Sequence, residues 1–396
     1  MLVDSLTQCR RYLFEQLLSK WRTHGLHATL GYSHESLNHD WNINSLDRLR
    51  LLTQCRQLYT FSHAYLFTQD KQWREPLDGL FEFIVRHYYI KPDAESEKRW
   101  IFSLNDQLQI KDTQSDCYAL AFVLLSFSYY FKATGNQTAL RLIDETHQFL
   151  QSKMRSPAGG FLECYPDNGA MRRQNPHMHL LEGYLAAFEV NPIPAFKQQI
   201  KELLDLFTGC FFDPKQACLL EFFNDDWSPH DREGHRVEPG HHFEWIWLLH
   251  QADQLFPDEC YLKIAEALWH TACESGFDPL GGIYNQIDAR SHQVIDAEKR
   301  IWPITEYLKA LCVHAADDPQ TEQKVIGILD FVFSHYLNRD GSWHEYLDAN
   351  NQPKDHPLPG TSSYHIFLGL IEVLNWADRT AGAAPGQTKN AKGKLI

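Results

Sequence analysis

Runs of basic residues are missing. No stretch of Lys and Arg exceeds two in 396 residues, and 51 Asp and Glu outnumber 37 Lys and Arg for a formal charge of −14. A protein that tracks nucleic-acid phosphates needs a basic stripe, so that class is set aside; an anionic membrane surface is no better a partner. Cys-x-x-Cys is also absent. Nine cysteines stand singly, and an odd, scattered set reads as reduced thiols of a cytoplasmic protein. The N-terminus has no charged start followed by an apolar run, as a signal peptide would. The longest apolar stretch, 117–131, is short for a membrane span and is broken by Ser and Tyr. There is no P-loop, no Gly-rich dinucleotide fingerprint and no G-x-S-x-G nucleophile motif.

Aromatic residues are abundant: 11 Trp, 17 Tyr and 24 Phe, beside 21 His. One short pattern recurs, a pair of aromatic or aliphatic residues followed by an acid or amide near a turn. It begins at Gly31, Trp100, Gly160, Leu220, Gly282 and Ser342, at intervals of about sixty residues. Alternation beside a turn signal predicts short strands or hairpins there. The intervening segments 116–133, 179–190, 243–255, 261–273, 302–314 and 364–376 have helical spacing. The first is apolar on most faces and is expected to be buried. Each interval holds two helices. The expected fold is all-α, an (α/α)6 barrel with short β-hairpin loops at one end, formed by residues 1–377; the small, basic tail 378–396 is expected to be disordered. An open helical solenoid is the alternative, but its repeats are commonly shorter and lack a recurrent β loop.

Three segments concentrate His, carboxylate and aromatic residues: Asn175-Pro176-His177-Met178-His179-Leu180-Leu181-Glu182, Glu238-Pro239-Gly240-His241-His242-Phe243-Glu244-Trp245 and Gly360-Thr361-Ser362-Ser363-Tyr364-His365. Each precedes or opens an apolar helix, which places its histidines near a helix N-terminus, at the loop end of the barrel. One such histidine is commonly a cap or a half-buried side chain; three at equivalent positions of a repeat point to a site. His179 with Glu182, and His241 with Glu244, are i, i+3 pairs that share a helix face, whereas His177 and His242 point elsewhere. His-x-x-Glu on two helices also suits a metal, but the bridging carboxylates of such sites do not stand out. A glycosidase would need carboxylate pairs, for which Glu163/Asp167 and Glu345/Asp348 are candidates. Trp41, Trp100, Trp227, Trp245, Trp302 and Trp343 fall in loops and helix starts, where they suit stacking against sugar rings.

The segments CRQLYTFSHAYLF, PHMHLLEGYLAAFE, EPGHHFEWIWLLHQ, KRIWPITEYLKAL and PGTSSYHIFLGL, in this order and spacing, resemble the N-acylglucosamine 2-epimerase superfamily over about 18–376. The resemblance implies a cofactor-free, metal-free sugar isomerase or epimerase. Its two catalytic histidines match His241 and His365. Its binding residues match Arg56, Asn175, His179, Glu244, Trp302 and Glu306, and Tyr118 is placed with them.

EPGHHFEW and a short chain without a large insertion resemble the mannose isomerase branch. The expected reaction is interconversion of D-mannose and D-fructose, or of D-lyxose and D-xylulose, through a cis-enediolate. The alternative is 2-epimerisation of an N-acylglucosamine or of a disaccharide such as cellobiose. An imidazole titrates near neutrality and suits the proton transfer. His365 is expected to shuttle the C2/C1 proton, and His241 to open the ring and move protons between oxygens. The expected partner is a neutral monosaccharide; an anionic sugar would need a further cation, for which Arg232 and Arg236 are at hand. Aromatic helical faces leave room for a homodimer.

Overall fold

The computed structural model describes residues 1–382. Its first helix, α1, runs through Leu2–Arg10 and Leu18–Lys20 with π-helical turns at Arg11–Leu17 and Trp21–Gly25. Eleven more helices follow among the described residues: α2 (Leu51–Thr68), α3 (Lys71–Tyr88), α4 (Cys117–Thr134), α5 (Gln137–Lys153), α6 (Gln174–Val190), α7 (Pro194–Leu206), α8 (Pro239–Leu255), α9 (Glu259–Ser275), α10 (Ile301–His314), α11 (Thr321–His335) and α12 (Ser362–Ala381).

Two kinds of helix alternate, and the sequence explains the difference. In α2 every residue from Leu51 to Ser62 is buried, and in α10 every residue from Ile301 to Cys312. Helices apolar on all faces need neighbours on all faces. In α3, burial is confined to one stripe that includes Trp73, Leu77, Leu80, Ile84 and Tyr88, with charges opposite. The even-numbered helices accordingly form an inner ring: α2 packs on α4, α4 on α6, α6 on α8, α8 on α10, α10 on α12, and α12 back on α2. The odd-numbered helices lie outside, α3 on α2, α5 on α4, α7 on α6, α9 on α8 and α11 on α10, while α1 rests on α11 and α12.

Connections from an inner helix to its outer partner are short. Gln69 and Gly135 end α2 and α4 in the left-handed region, at φ 57° and 71°. Asp70 and Asn136 then cap the next helix by accepting from Gln72 N and Thr138 N. Connections from an outer helix to the next inner one are long and carry the six recurrent segments. Each segment contributes a two- or three-residue strand, antiparallel to the strand just before an inner helix. Leu49–Arg50 pairs with Ser103–Leu104, Ser115–Asp116 with Cys164–Tyr165, Arg172–Arg173 with Phe222–Phe223, Arg236–Val237 with Gln286–Asp288, and Lys299–Arg300 with Tyr346–Leu347. Ser36–Leu37 pairs with Leu358–Pro359, so the ladders close a second ring at the N-terminal ends of the inner helices.

Several expectations need correction. The inner helices α6 and α8 begin four or five residues earlier than the apolar spacing predicted, because their first turns are polar and histidine-rich. The helix expected at 116–133 spans Cys117–Thr134; by length and composition it alone among the described residues could span a membrane, yet it packs inside the ring between α2 and α6. Helix α12 runs to Ala381, past the expected boundary at 377; residues 383–396 of the expected tail lie outside the described residues. All nine cysteines are free.

Candidate active site

Because the long connections gather at one end, the first two turns of the inner helices surround one cavity. It holds about 210 Å3, below the roughly 300–1,000 Å3 of drug-sized pockets. Eight of the nine expected residues line it: Arg56 from α2, Tyr118 from α4, Asn175 and His179 from α6, His241 and Glu244 from α8, Trp302 from α10 and His365 from α12. Glu306 lies directly behind His365 rather than on the wall. Glu238, Arg300, Thr361 and Ser362 also line the cavity and were not singled out. All four sit inside the motif segments, at or beside the residues that start an inner helix.

His365 is 7% exposed, and its Nδ1 donates to Glu306 Oε1 at 2.7 Å. Burial lowers its pKa to about 3 despite that bond, and the Arg56 charge adds to the lowering. The ring is therefore neutral, with Nε2 free of hydrogen. His241 is held differently. Its Nδ1 donates to both oxygens of Glu221 at 3.0 Å and lies 3.8 Å from Glu238 Oε2. Burial alone would lower its pKa, but the Glu221 and Glu238 charges outweigh burial and raise it to about 9. Asn175 Nδ2 sits 3.1 Å from His241 Nε2, and Asn175 Oδ1 is buried without a partner. That amide can serve both charge states: its nitrogen donates to the neutral ring, and turned over, its oxygen accepts from the imidazolium. The Trp302 ring lies between the two histidines, at centroid distances of 4.8 Å from His241 and 5.8 Å from His365.

Glu221 was missed as a site residue although it lies in a recurrent segment. Two of its repeat equivalents explain how it was recruited. Glu35 accepts from the backbone N, Nε and Nη2 of Arg50. Glu163 does the same for Arg173. Each thereby ties a loop to the start of the next inner helix. At the start of α8 the corresponding residue is Glu238, not Arg, and Glu221 takes His241 and Gln174 Nε2 instead.

The remaining polar groups form the floor. His179 Nδ1 donates to Glu182 Oε2 at 3.0 Å, as the i, i+3 spacing predicted, and Tyr364 donates to Glu182 Oε1. The corresponding His241–Glu244 bond does not form. Glu244 instead faces His179 Nε2 at 3.7 Å. Burial and the Glu306 charge push the Glu244 carboxyl up to about 8, while burial holds His179 down to about 4. Arg56 donates to the Tyr118 hydroxyl and the Thr361 carbonyl, and stacks 4.4 Å from the Phe122 centroid. Two trios have donor atoms close enough to share a metal ion, His179/Glu182/Glu244 and Glu244/Glu306/His365. Both compete with the Lys309 ammonium, which sits 2.6 Å from Glu306 Oε2.

Other expectations fail on geometry. Of the six tryptophans proposed for stacking, only Trp302 reaches the cavity: Trp100, Trp245 and Trp343 are wholly buried in the core, and Trp41 and Trp227 nearly so. Glu163 and Glu345 do not line the cavity and are bound to Arg173 and to the cavity-lining Arg300, which does not suit either to a hydrolytic carboxylate pair. As expected, His177 and His242 point away from the cavity, accepting from Phe161 N and Leu219 N. Neither Arg232 nor Arg236 lines it; Arg236 is bound to Glu233 and Gln286.

The N-acylglucosamine 2-epimerase (GlcNAc 2-epimerase) family model matches residues 31–369. A mannose-6-phosphate isomerase of Rhizobium meliloti is 28% identical over 91% of this chain and 95% of that protein. A D-mannose isomerase of Marinomonas mediterranea is 25% identical over 85% of this chain and 89% of that protein. The structure of a cellobiose 2-epimerase from Spirochaeta thermophila superposes with a TM-score of 0.84 at 20% identity, covering 96% of this chain and 98% of that one. With its motifs, its ring of helix pairs and a family match over nearly its whole length, the chain belongs to the N-acylglucosamine 2-epimerase family.

Proposed function

We propose that this protein is a sugar isomerase that interconverts D-mannose and D-fructose, and D-lyxose with D-xylulose, without a cofactor, in the cytoplasm. The closed ring of helix pairs supports an (α/α)6 barrel as its fold. The observation that carries the function is the split between two histidines on one small cavity, His365 neutral and His241 cationic at neutral pH. Environments that push like groups apart in pKa assign the base and the acid.

His241 donates a proton to the ring oxygen and takes up the O1 hydroxyl proton as the pyranose opens. His365 Nε2 then takes the proton from C2, and the electron pair forms the enediolate as the C1 carbonyl gains negative charge. Arg56 stabilises that oxygen. Glu306 stabilises the imidazolium formed at His365 through the Nδ1 hydrogen. His241 passes the O2 hydroxyl proton to O1, and His365 delivers a proton to the same face of C1, which yields the ketose; exchange of the His365 imidazolium hydrogen with solvent before delivery labels C1. A cavity of about 210 Å3 suits one sugar ring.

The test is incubation of fructose in deuterated water, with products separated by chromatography. Wild type is expected to exchange the C1 hydrogen and form mannose, and His365→Ala to lose well over roughly a hundredfold in turnover. Mannose converted only to glucose would make the enzyme an epimerase, and full activity in His365→Ala would overturn the assignment of the base.

One observation favours a second reading, a phosphorylated mannose. Arg300 lines the cavity, its Nε is buried without a partner, and its Nη2 meets Glu345 only at 3.3 Å. One relative is named a mannose-6-phosphate isomerase. A kcat/KM for mannose 6-phosphate above that for mannose, lost selectively in Arg300→Ala, would establish it.

A further inference from the structure

The structure assigns Lys309 as a positioning residue that fixes the hydrogen of His365 on Nδ1 by holding Glu306 between them. This inference rests on the proposed role of His365 as the carbon base.

Lys309 follows Glu306 by three residues on α10, so both side chains leave the same helix face. Both are completely buried. The two oxygens of Glu306 face different partners: Oε2 lies 2.6 Å from Lys309 Nζ, and Oε1 accepts from His365 Nδ1 at 2.7 Å. The ammonium meets Oε2 off the line of an N–H···O bond, and neither atom has a hydrogen-bond partner. Charge therefore holds this pair. The ammonium also lies 4.3 Å from the centroid of the Trp247 ring, whose face favours a cation.

The surroundings show why a buried cation is needed. Glu182 from α6 and Glu244 from α8 act on Lys309 beside Glu306. On the same floor lie His179 of α6, Tyr364 and His365 of α12, and Arg56 of α2, which is bonded to Tyr118 of α4. Three buried carboxyl groups cannot all ionise without compensation. Lys309 decides which one takes the proton: Glu306 stays ionised, and Glu244 holds the hydrogen.

The consequence for His365 is a matter of hydrogen count. An ionised Glu306 can only accept, so the imidazole hydrogen stays on Nδ1 and Nε2 keeps its lone pair toward the cavity. A protonated Glu306 would donate to Nδ1. The imidazole hydrogen would then sit on Nε2, where the base must be empty. Removal of the Lys309 charge should let Glu306 take up a proton within the working pH range and switch off the base without removing any group that touches substrate.

The experiment is Lys309→Met, which keeps the length of the side chain and deletes the charge, studied with mannose as substrate. At pH 7 kcat is expected to fall at least roughly tenfold with KM nearly unchanged. Activity should recover as pH rises, because the acidic limb of the kcat profile moves up. A uniform loss with an unmoved pH profile, or no loss, overturns the inference. If the variant does not fold, histidine-ring 15N NMR of the wild-type protein decides: hydrogen on Nδ1 of His365 near neutral pH supports the inference, and hydrogen on Nε2 overturns it. Full activity in His365→Ala would instead overturn the proposed base itself, so the two failures are separable.

Discussion

Glu221 accepts the Nδ1 hydrogen of His241 with both of its oxygens, at 3.0 Å each. This carboxylate makes His241 an acid, since burial alone would leave the ring neutral. Glu221→Gln keeps the shape and deletes the charge. The His241 pKa is expected to fall from about 9 by roughly 1–3 units. A pH titration of the ring by NMR, with kcat/KM at pH 8, checks it. Loss of activity at pH 8 should exceed the loss at pH 6, where His241 remains closer to charged.

Buried neutral histidines make the fold acid-labile. His63 and His365 are lowered to about 3, and His177, His179, His242 and His250 to about 4, with burial the main cause in each. Their unfolded-state pKa lies near 6.5, so below that value the unfolded chain binds protons that the native state refuses. Stability is present above pH 6.5 and is lost as pH falls toward 4. Glu244 opposes this in part, because its raised pKa releases a proton on unfolding. Net uptake of roughly three or more protons on unfolding at pH 5 is expected. Calorimetric unfolding enthalpies in buffers of different ionisation enthalpy measure it; uptake of none would show that these rings are charged in the native state.

Much of this site was legible in the sequence. His179, His241 and His365 were visible because each lies in the first two turns of a helix that is apolar beyond them, and the sixty-residue recurrence said that such turns share one end. The supporting groups were hidden for physical reasons. Glu221 is 20 residues from His241 and meets it only through loop geometry, and its repeat equivalents Glu35 and Glu163 are structural. Lys309 reads as an exposed lysine until the full burial of α10 is known. The tryptophans misled because a ring of helices needs large side chains between its layers as much as at its mouth.

Chelation is expected to leave activity intact. Within the two trios that could share an ion, Glu306 and Glu182 already face Lys309, His365, His179 and Tyr364. Activity after exhaustive EDTA treatment and dialysis, with the metal content of the purified protein, checks this. Activity that returns only with a divalent metal would make those trios a metal site.

Arg232→Ala and Arg236→Ala should each change kcat/KM for mannose by less than about twofold, as surface substitutions do, because neither residue lines the cavity. A larger effect of Arg236→Ala would mean that its bond to Gln286, which donates to Glu238, reaches His241.

The seam where the ladder of Ser36–Leu37 meets Leu358–Pro359 also governs the order of events during synthesis. Arg56 and His365 sit on the two helices that flank it, and Arg56 donates to the Thr361 carbonyl, 305 positions later in the chain. Contacts of such sequence separation form late and slow folding. A nascent chain stalled just before α12 carries Arg56 and His241 but lacks Tyr364 and His365, so with His365 as the proposed base catalysis is expected to begin only after α12 leaves the ribosome and closes the circle.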